Sequence, residues 1–343
     1  MNMFEKKINF IREKFRKKSY GLVGKTSAVQ ICHWTKQSLR GKKGCWKQKF
    51  YGIDSSRCCQ FSPAVMWCEN NCVHCWRPLE FFIGKELPYI DEPEDIIEGI
   101  IKERKKLLSG FGGKKGINKE KLKKAMEPHL FTLSLSGEAT LYPKLPELIK
   151  LIKKKNAICF LVTNGQNPEM LKKLEQEDSL PTQLTISVNA PNKELFLKWH
   201  NSLNKDSWER LNKSLEMVKE FEGKCRRCFR LTLVKKGKNK NSPLNYLTNM
   251  EEKNIKEYVA LILKAYPNFI HVKGYTSIGS ARNRMGYDKQ PTHEEIKKYS
   301  KKLLFYLNKN LIKKEKPWKI LGEDKVSCVV VIGKSKKEMK IKI

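Results

Sequence analysis

Cys68, Cys72 and Cys75 fall in one short C-x3-C-x2-C stretch. Thiolates are the soft ligands that iron–sulfur clusters take, normally four to a cluster. Three at this spacing suit a four-iron cube with one iron left without a protein ligand, where a small molecule binds and reacts. A structural zinc ion is the competing reading, but zinc prefers four ligands in paired short loops, and no partner pair lies nearby. Cys32, Cys45 and Cys58 form a second set, each 13 residues from the next. Equal long spacings arise from neither one helix nor one turn. These three converge only if the segment wraps around a common point, as it would around a second cluster; buried structural cysteines are the alternative. Cys59 beside Cys58 leaves the third ligand open between the two. Cys225 and Cys228 are a lone C-x2-C, read as a surface or core pair, and His33 beside Cys32 is read as packing.

Such loops need a scaffold. From residue 61 onward short apolar runs alternate with amphipathic stretches, with strand candidates at 61–67, 130–135, 157–162, 183–188, 228–234 and 268–272. Asp91, Glu92 and Pro93 open a helix whose stripe is Ile96, Ile97, Ile100 and Ile101, closed by Lys105, Lys106 and Gly110, as dipole and capping rules expect. Further helices are expected at 145–155, 168–176, 206–221 and 249–265. Six strand-then-helix units argue for parallel strands with right-handed crossovers. Six do not close the eight-stranded barrel, so the expected fold class is α/β, an open incomplete (β/α)6 barrel with N-terminal and C-terminal extensions. The division is 1–60, carrying the second cysteine set, 61–290 for the barrel and 291–343 for a cap made of a helix to about 308 and a strand near 326–332. Residues 1–20 read as a basic amphipathic helix; 114–124 and 235–241 read as exposed basic loops.

Active sites of such sheets lie in the loops after the strands. The cysteine loop follows the first candidate strand. Ser136, Gly137 and Glu138 follow the second, Thr163, Asn164 and Gly165 the third, Asn189, Ala190 and Pro191 the fourth, and Lys273, Gly274 and Tyr275 the sixth. Each triplet alone reads as an ordinary βα turn; their recurrence at one structural level is the signal.

Eleven cysteines in 343 residues with no secretory signal point to metal in a reducing cytoplasm rather than to disulfides. No apolar run is long enough to span a membrane. With 70 Lys+Arg against 36 Asp+Glu the formal charge is +34. Part of this is a solvated lysine surface, but a field of that size attracts polyanions, and nucleic acid is the polyanion expected here.

On these residues the chain resembles the radical S-adenosylmethionine (SAM) enzymes, with His74 at a position they usually fill with an aromatic ring. In that class the open iron chelates SAM, an electron splits its S–C bond to a 5′-deoxyadenosyl radical, and a Gly-Glu element, here Gly137 and Glu138 after Ser136, holds the amino group. Thr163 and Asn164 are placed for the ribose or carboxylate. Over nearly the whole chain it resembles the tRNA 4-demethylwyosine synthases. The similarity rests on Cys32, on the stretch 45–58, on Met66-Trp67-Cys68 and Cys75-Trp76-Arg77-Pro78, and on 134–143, 187–191 and 271–276. The resemblance implies a lyase that condenses N1-methylguanosine at position 37 of phenylalanine tRNA, in the anticodon loop, with two carbons of pyruvate. It implies two 4Fe–4S clusters, the second on Cys32, Cys45 and Cys58, and it implies that Lys47 forms a Schiff base with pyruvate. Asn189 stands where many members carry aspartate, and Ala139 replaces a common proline. Eukaryotic members carry a flavodoxin-like domain for which 1–31 has no room, so a separate electron donor is expected. Another two-cluster radical SAM enzyme acting on peptide or RNA, and a non-enzymatic iron–sulfur RNA-binding protein, are the competing readings.

Overall fold

A computed structural model describes residues 3–238, 244–312 and 315–341; residues 239–241 of the 235–241 loop lie outside the described residues. Among the described residues, ten strands form one mixed sheet in the order β1-β2-β3-β4-β5-β6-β7-β8-β10-β9. They are β1 (Gly21–Val23), β2 (Ser27–Gln30), β3 (Cys58–Ser62), β4 (Leu130–Leu133), β5 (Ile158–Thr163), β6 (Gln183–Ser187), β7 (Arg226–Leu233), β8 (Phe269–Gly274), β9 (Lys319–Asp324) and β10 (Val329–Gly333). The six strands from β3 to β8 are parallel neighbours, the six-unit incomplete barrel that the alternation of strands and helices predicts. Antiparallel pairs flank them: β1 and β2 on β3, β10 and β9 on β8.

Side chains alternate across a strand, and here the alternation separates two environments. Cys59, Phe61, Leu161, Phe229, Leu231, Leu233 and Val272 point outward into the core shared with the helices. Cys58, Gln60, Arg230, Thr232 and Lys273 lie on the opposite face and are only half-buried. Trp46, Phe50, Tyr51, Phe160, Phe269, Val329 and Val331 form a second apolar cluster. Trp46 and Tyr51 belong to the short helix Trp46–Tyr51, which therefore packs onto the inner face of β5, β8 and β10.

Helix ends follow local chemistry. Pro93 begins Pro93–Ser109, with Ile96, Ile97 and Ile100 buried and Gly110 as the C-terminal cap. Thr292 and Glu295 form a capping box on His293–Lys309. The N-terminal helix Met3–Lys17 buries Ile8, Ile11 and Phe15.

Three expectations change. The first barrel strand is Cys58–Ser62, not 61–67: Pro63 has no N–H to continue a ladder, and 64–67 is apolar because Ala64, Val65, Met66 and Trp67 are buried beneath the N-terminal helix. The 114–124 stretch is not all loop, since Asn118 caps Lys119–Ala125 and Leu122 is buried. The β1–β2 pair and β9 are additions, as is the helix Lys193–His200. Among the described residues no helix is long and apolar enough to cross a membrane.

Candidate active site

The cysteine loop leaves β3 and is tied down from several directions. The Cys68 amide donates to the Gly84 carbonyl (2.9 Å), the Asn71 amide to His200 O (2.9 Å) and the Val73 amide to Trp199 O (3.0 Å), while Cys75 N donates to Cys72 O (3.0 Å). Cys68, Cys72 and Cys75 are half-buried free thiols. Burial pushes Cys68 and Cys72 well above the ordinary thiol range, Cys68 further by Glu69 and Cys72, and Cys72 further by Cys75. A metal must therefore displace their protons. Among the described residues no three His, Cys, Asp or Glu groups are set to hold a single ion. By donor chemistry alone, three thiolates in one loop are ligands of the kind an iron–sulfur cluster takes.

His74 Nδ1 accepts a hydrogen bond from Trp199 Nε1 (2.6 Å). Burial, then the charges of His200, Arg230 and Arg284, push the imidazole down to about 3, so it is neutral.

Glu138 is buried with both oxygens engaged. Oε1 accepts from Thr140 N (3.2 Å) and Oγ1 (2.8 Å), and Oε2 accepts from Asn164 N (2.9 Å). Sequence reasoning missed Glu69. Its Oε2 accepts from Asn164 Nδ2 (3.1 Å), so one asparagine aligns two carboxylates. Burial and then Glu138 push Glu69 up to about 7. A cationic ligand group such as an amino group relieves both carboxylates. Ser136 Oγ is buried with no hydrogen-bond partner, a polar atom left for a ligand. Thr163 Oγ1 accepts from Gly165 N (3.1 Å) and so shapes that turn. Asn189 is engaged in the fold: its Oδ1 accepts from Thr232 N (3.1 Å) and its carbonyl from Asn249 Nδ2 (2.7 Å).

Gly137 has φ +68°, and a Cβ there would lie 1.8 Å from Ala64 O and 2.6 Å from Trp67 O. Both neighbours are backbone and cannot swing away. Gly137→Ala is expected to lower unfolding free energy by about 2–5 kcal/mol, read as a lower thermal midpoint. An unchanged midpoint would show that the 64–67 segment yields.

The second cysteine set also comes together. Cys32 precedes the helix His33–Leu39, its sulfur accepting from Thr35 N (3.4 Å). Cys45 precedes Trp46–Tyr51. Cys58 opens β3, its sulfur 3.6 Å from Thr132 Oγ1. Burial pushes Cys45 up to about 12, and Cys32 and Cys58 raise it too. Strand alternation places Cys59 in the outer core while Cys58 packs with Cys45. Lys47, half-buried, holds its Nζ 4.9 Å from the Phe160 ring centroid, and its charge acts on Cys45, Cys58 and His271. Tyr51 Oη and His271 Nε2 are 2.5 Å apart at the same level. Arg77, also missed, lies in the field of both Cys75 and Cys32.

Residues 63–249 match the Radical SAM superfamily and 264–334 match Wyosine base formation. The S-adenosyl-L-methionine-dependent tRNA 4-demethylwyosine synthase of Pyrococcus abyssi is 42% identical over 294 residues, covering 85% of this chain and 82% of that protein. The protein of the same name from Methanocaldococcus jannaschii is 35% identical over 294 residues, covering 84% and 87%. A solved structure described as TYW1 with a lysine–pyruvate adduct bound superposes with TM-score 0.78 at 31% identity, covering 97% of this chain and 98% of that one. A crystal structure of archaeal TYW1 gives 0.72 at 29%, covering 97% of each. With its cysteine loop at the mouth of a six-unit parallel sheet, this chain belongs to the tRNA 4-demethylwyosine synthase family of radical SAM enzymes.

Proposed function

We propose that this enzyme joins N1-methylguanosine-37 of phenylalanine tRNA to two carbons of pyruvate, closing the third ring of 4-demethylwyosine as a carbon–carbon lyase. One cluster would be held by Cys68, Cys72 and Cys75, and a second by Cys32, Cys45 and Cys58. When bound, the first with SAM supplies a 5′-deoxyadenosyl radical able to take hydrogen from the N1-methyl group. Residues 1–60 bring the second cysteine set, 61–290 the barrel and 291–343 its cover. The electron comes from a separate donor.

The protein's own residues supply position and proton control. Glu138 and Glu69, aligned through Asn164, hold the amino group of SAM. Ser136, Thr163 and Asn164 line the strand ends beside them; the neutral imidazole of His74 packs against Trp199 without adding charge. Lys47 Nζ attacks the pyruvate ketone, and water leaves as the C=N bond forms. The observation that carries this reading is Lys47 itself. It lies two residues after Cys45, on a helix packed onto the inner face of the sheet, over Phe160, and it makes no ion pair with any carboxylate among the described residues. A relative's structure described as holding a lysine–pyruvate adduct supports it.

Anaerobic incubation of reconstituted protein with methylated tRNA, SAM, pyruvate and reductant is the test, followed by mass analysis of nucleosides. The expected result is a mass change confined to position 37. Recovery of unaltered methylguanosine alone rejects the reaction.

A further inference from the structure

Seven tryptophans occur in the chain. Six are buried or half-buried, and Trp76 alone is exposed, at 42%. A single exposed ring needs no explanation by itself; the way this one is held does. The Arg77 guanidinium carbon lies 3.6 Å from its ring centroid and so covers one face. Arg77 is in turn fixed, donating from Nη1 to the Tyr20 hydroxyl (2.7 Å) and to Gln30 Oε1 (3.1 Å). The Trp76 carbonyl accepts from the Ser280 amide (3.1 Å). At Gly279, with φ +57°, a Cβ would stand 2.2 Å from that same carbonyl oxygen. Segments near residues 20, 30 and 280 thus converge to hold a solvent-exposed ring next to Cys75.

Basic side chains flank it on two sides, with Glu13 and Glu80 among them. On one side the N-terminal helix presents exposed Lys6, Lys7, Arg16 and Lys17 and reaches the ring through Tyr20 and Arg77. On the other, Arg284 donates to the Val73 carbonyl (3.3 Å) and to the Cys75 carbonyl, and the exposed Arg282 lies two residues earlier. Aromatic faces flanked by cationic tracks are how proteins hold unpaired nucleotides: rings stack bases and basic side chains follow phosphates.

We propose that Trp76 is a stacking platform for one unpaired base of the RNA loop, with the backbone of that loop running along the N-terminal helix. The inference rests on the tRNA reading above and gives it a docking position. Stacking prepays part of the cost of turning a base out of its stack, and the ring's place beside Cys75 delivers that strand to the cysteine loop.

The test uses reconstituted full-length protein under anaerobic conditions and a fluorescent RNA hairpin carrying N1-methylguanosine in its loop. Affinity is measured by anisotropy across a salt series. Trp76→Leu, which keeps an apolar cover over Arg77 but no π face, is expected to weaken binding about 5- to 150-fold with an unchanged salt slope. Trp76→Phe is expected to fall between Trp and Leu, a ranking that loss of fold does not produce. Lys17→Ala is expected to reduce the salt slope by about one. Wild-type binding with equal affinity in Trp76→Leu overturns the platform alone. A Trp76→Leu defect that appears only as a changed salt slope overturns it too. Failure of the wild type to bind the hairpin rejects the RNA reading and this inference with it.

Discussion

Cys72→Ala is expected to reduce formation of 5′-deoxyadenosine from SAM to background, a drop of more than about 10³-fold. The sulfur is lost with little else. The local turn is a backbone hydrogen bond from Cys75 N to Cys72 O, which alanine preserves, and neighbouring amides are tied to Gly84, His200 and Trp199 rather than to the thiol. The variant should therefore fold and still fail, because two thiolates do not hold the cluster that the three together accommodate. Cys225→Ala is the control: that thiol packs against the outer core, and its loss should leave nucleoside production unchanged. Iron analysis accompanies both. Full iron content and activity in Cys72→Ala would place the reactive cluster elsewhere.

Lys47→Ala and Lys47→Arg are expected to cut 4-demethylwyosine formation by more than about 10²-fold while 5′-deoxyadenosine is still made. Arginine keeps the charge but forms no imine, so a purely electrostatic role would survive that change and a covalent role would not. Borohydride trapping in the presence of pyruvate should add mass to the peptide bearing Lys47 in the wild type and in neither variant. A rival amine sits at the same level. Burial, then Arg230, lowers the pKa of Lys273, which favours the free amine. Peptide mapping decides between them: a pyruvate-derived mass on Lys273, or trapping that persists without Lys47, would move the Schiff base to β8.

Much of this site is legible from residue types because its parts stand at strand ends. Cys68 to Cys75, Ser136 to Glu138 and Thr163 to Gly165 follow apolar runs, and the sheet brings them to one rim as that order implies. What was not legible depends on burial or on long-range contact. Glu69 sits between two cysteines and reads as a solvated carboxylate; only the fold reveals that it shares Asn164 with Glu138. The choice between Cys58 and Cys59 needs strand register, since Cys58 pairs with Leu130 and Cys59 with Phe131 on opposite faces. The β1 and β2 strands are three and four residues long, too short to show a period of two. The displaced start of β3 has the same origin, because the apolar run at 64–67 serves the packing of the N-terminal helix and not a ladder. Asn189 shows the converse: a residue placed correctly at a strand end whose side-chain oxygen is occupied by the Thr232 amide.

The most direct measurement is Mössbauer spectroscopy of iron-57-reconstituted protein in which Cys32, Cys45 and Cys58 are replaced by alanine, recorded with and without SAM. The account requires a four-iron signal in which one site differs from the other three and shifts when SAM is added. Zinc or no iron at Cys68, Cys72 and Cys75, or four iron sites indifferent to SAM, would contradict it.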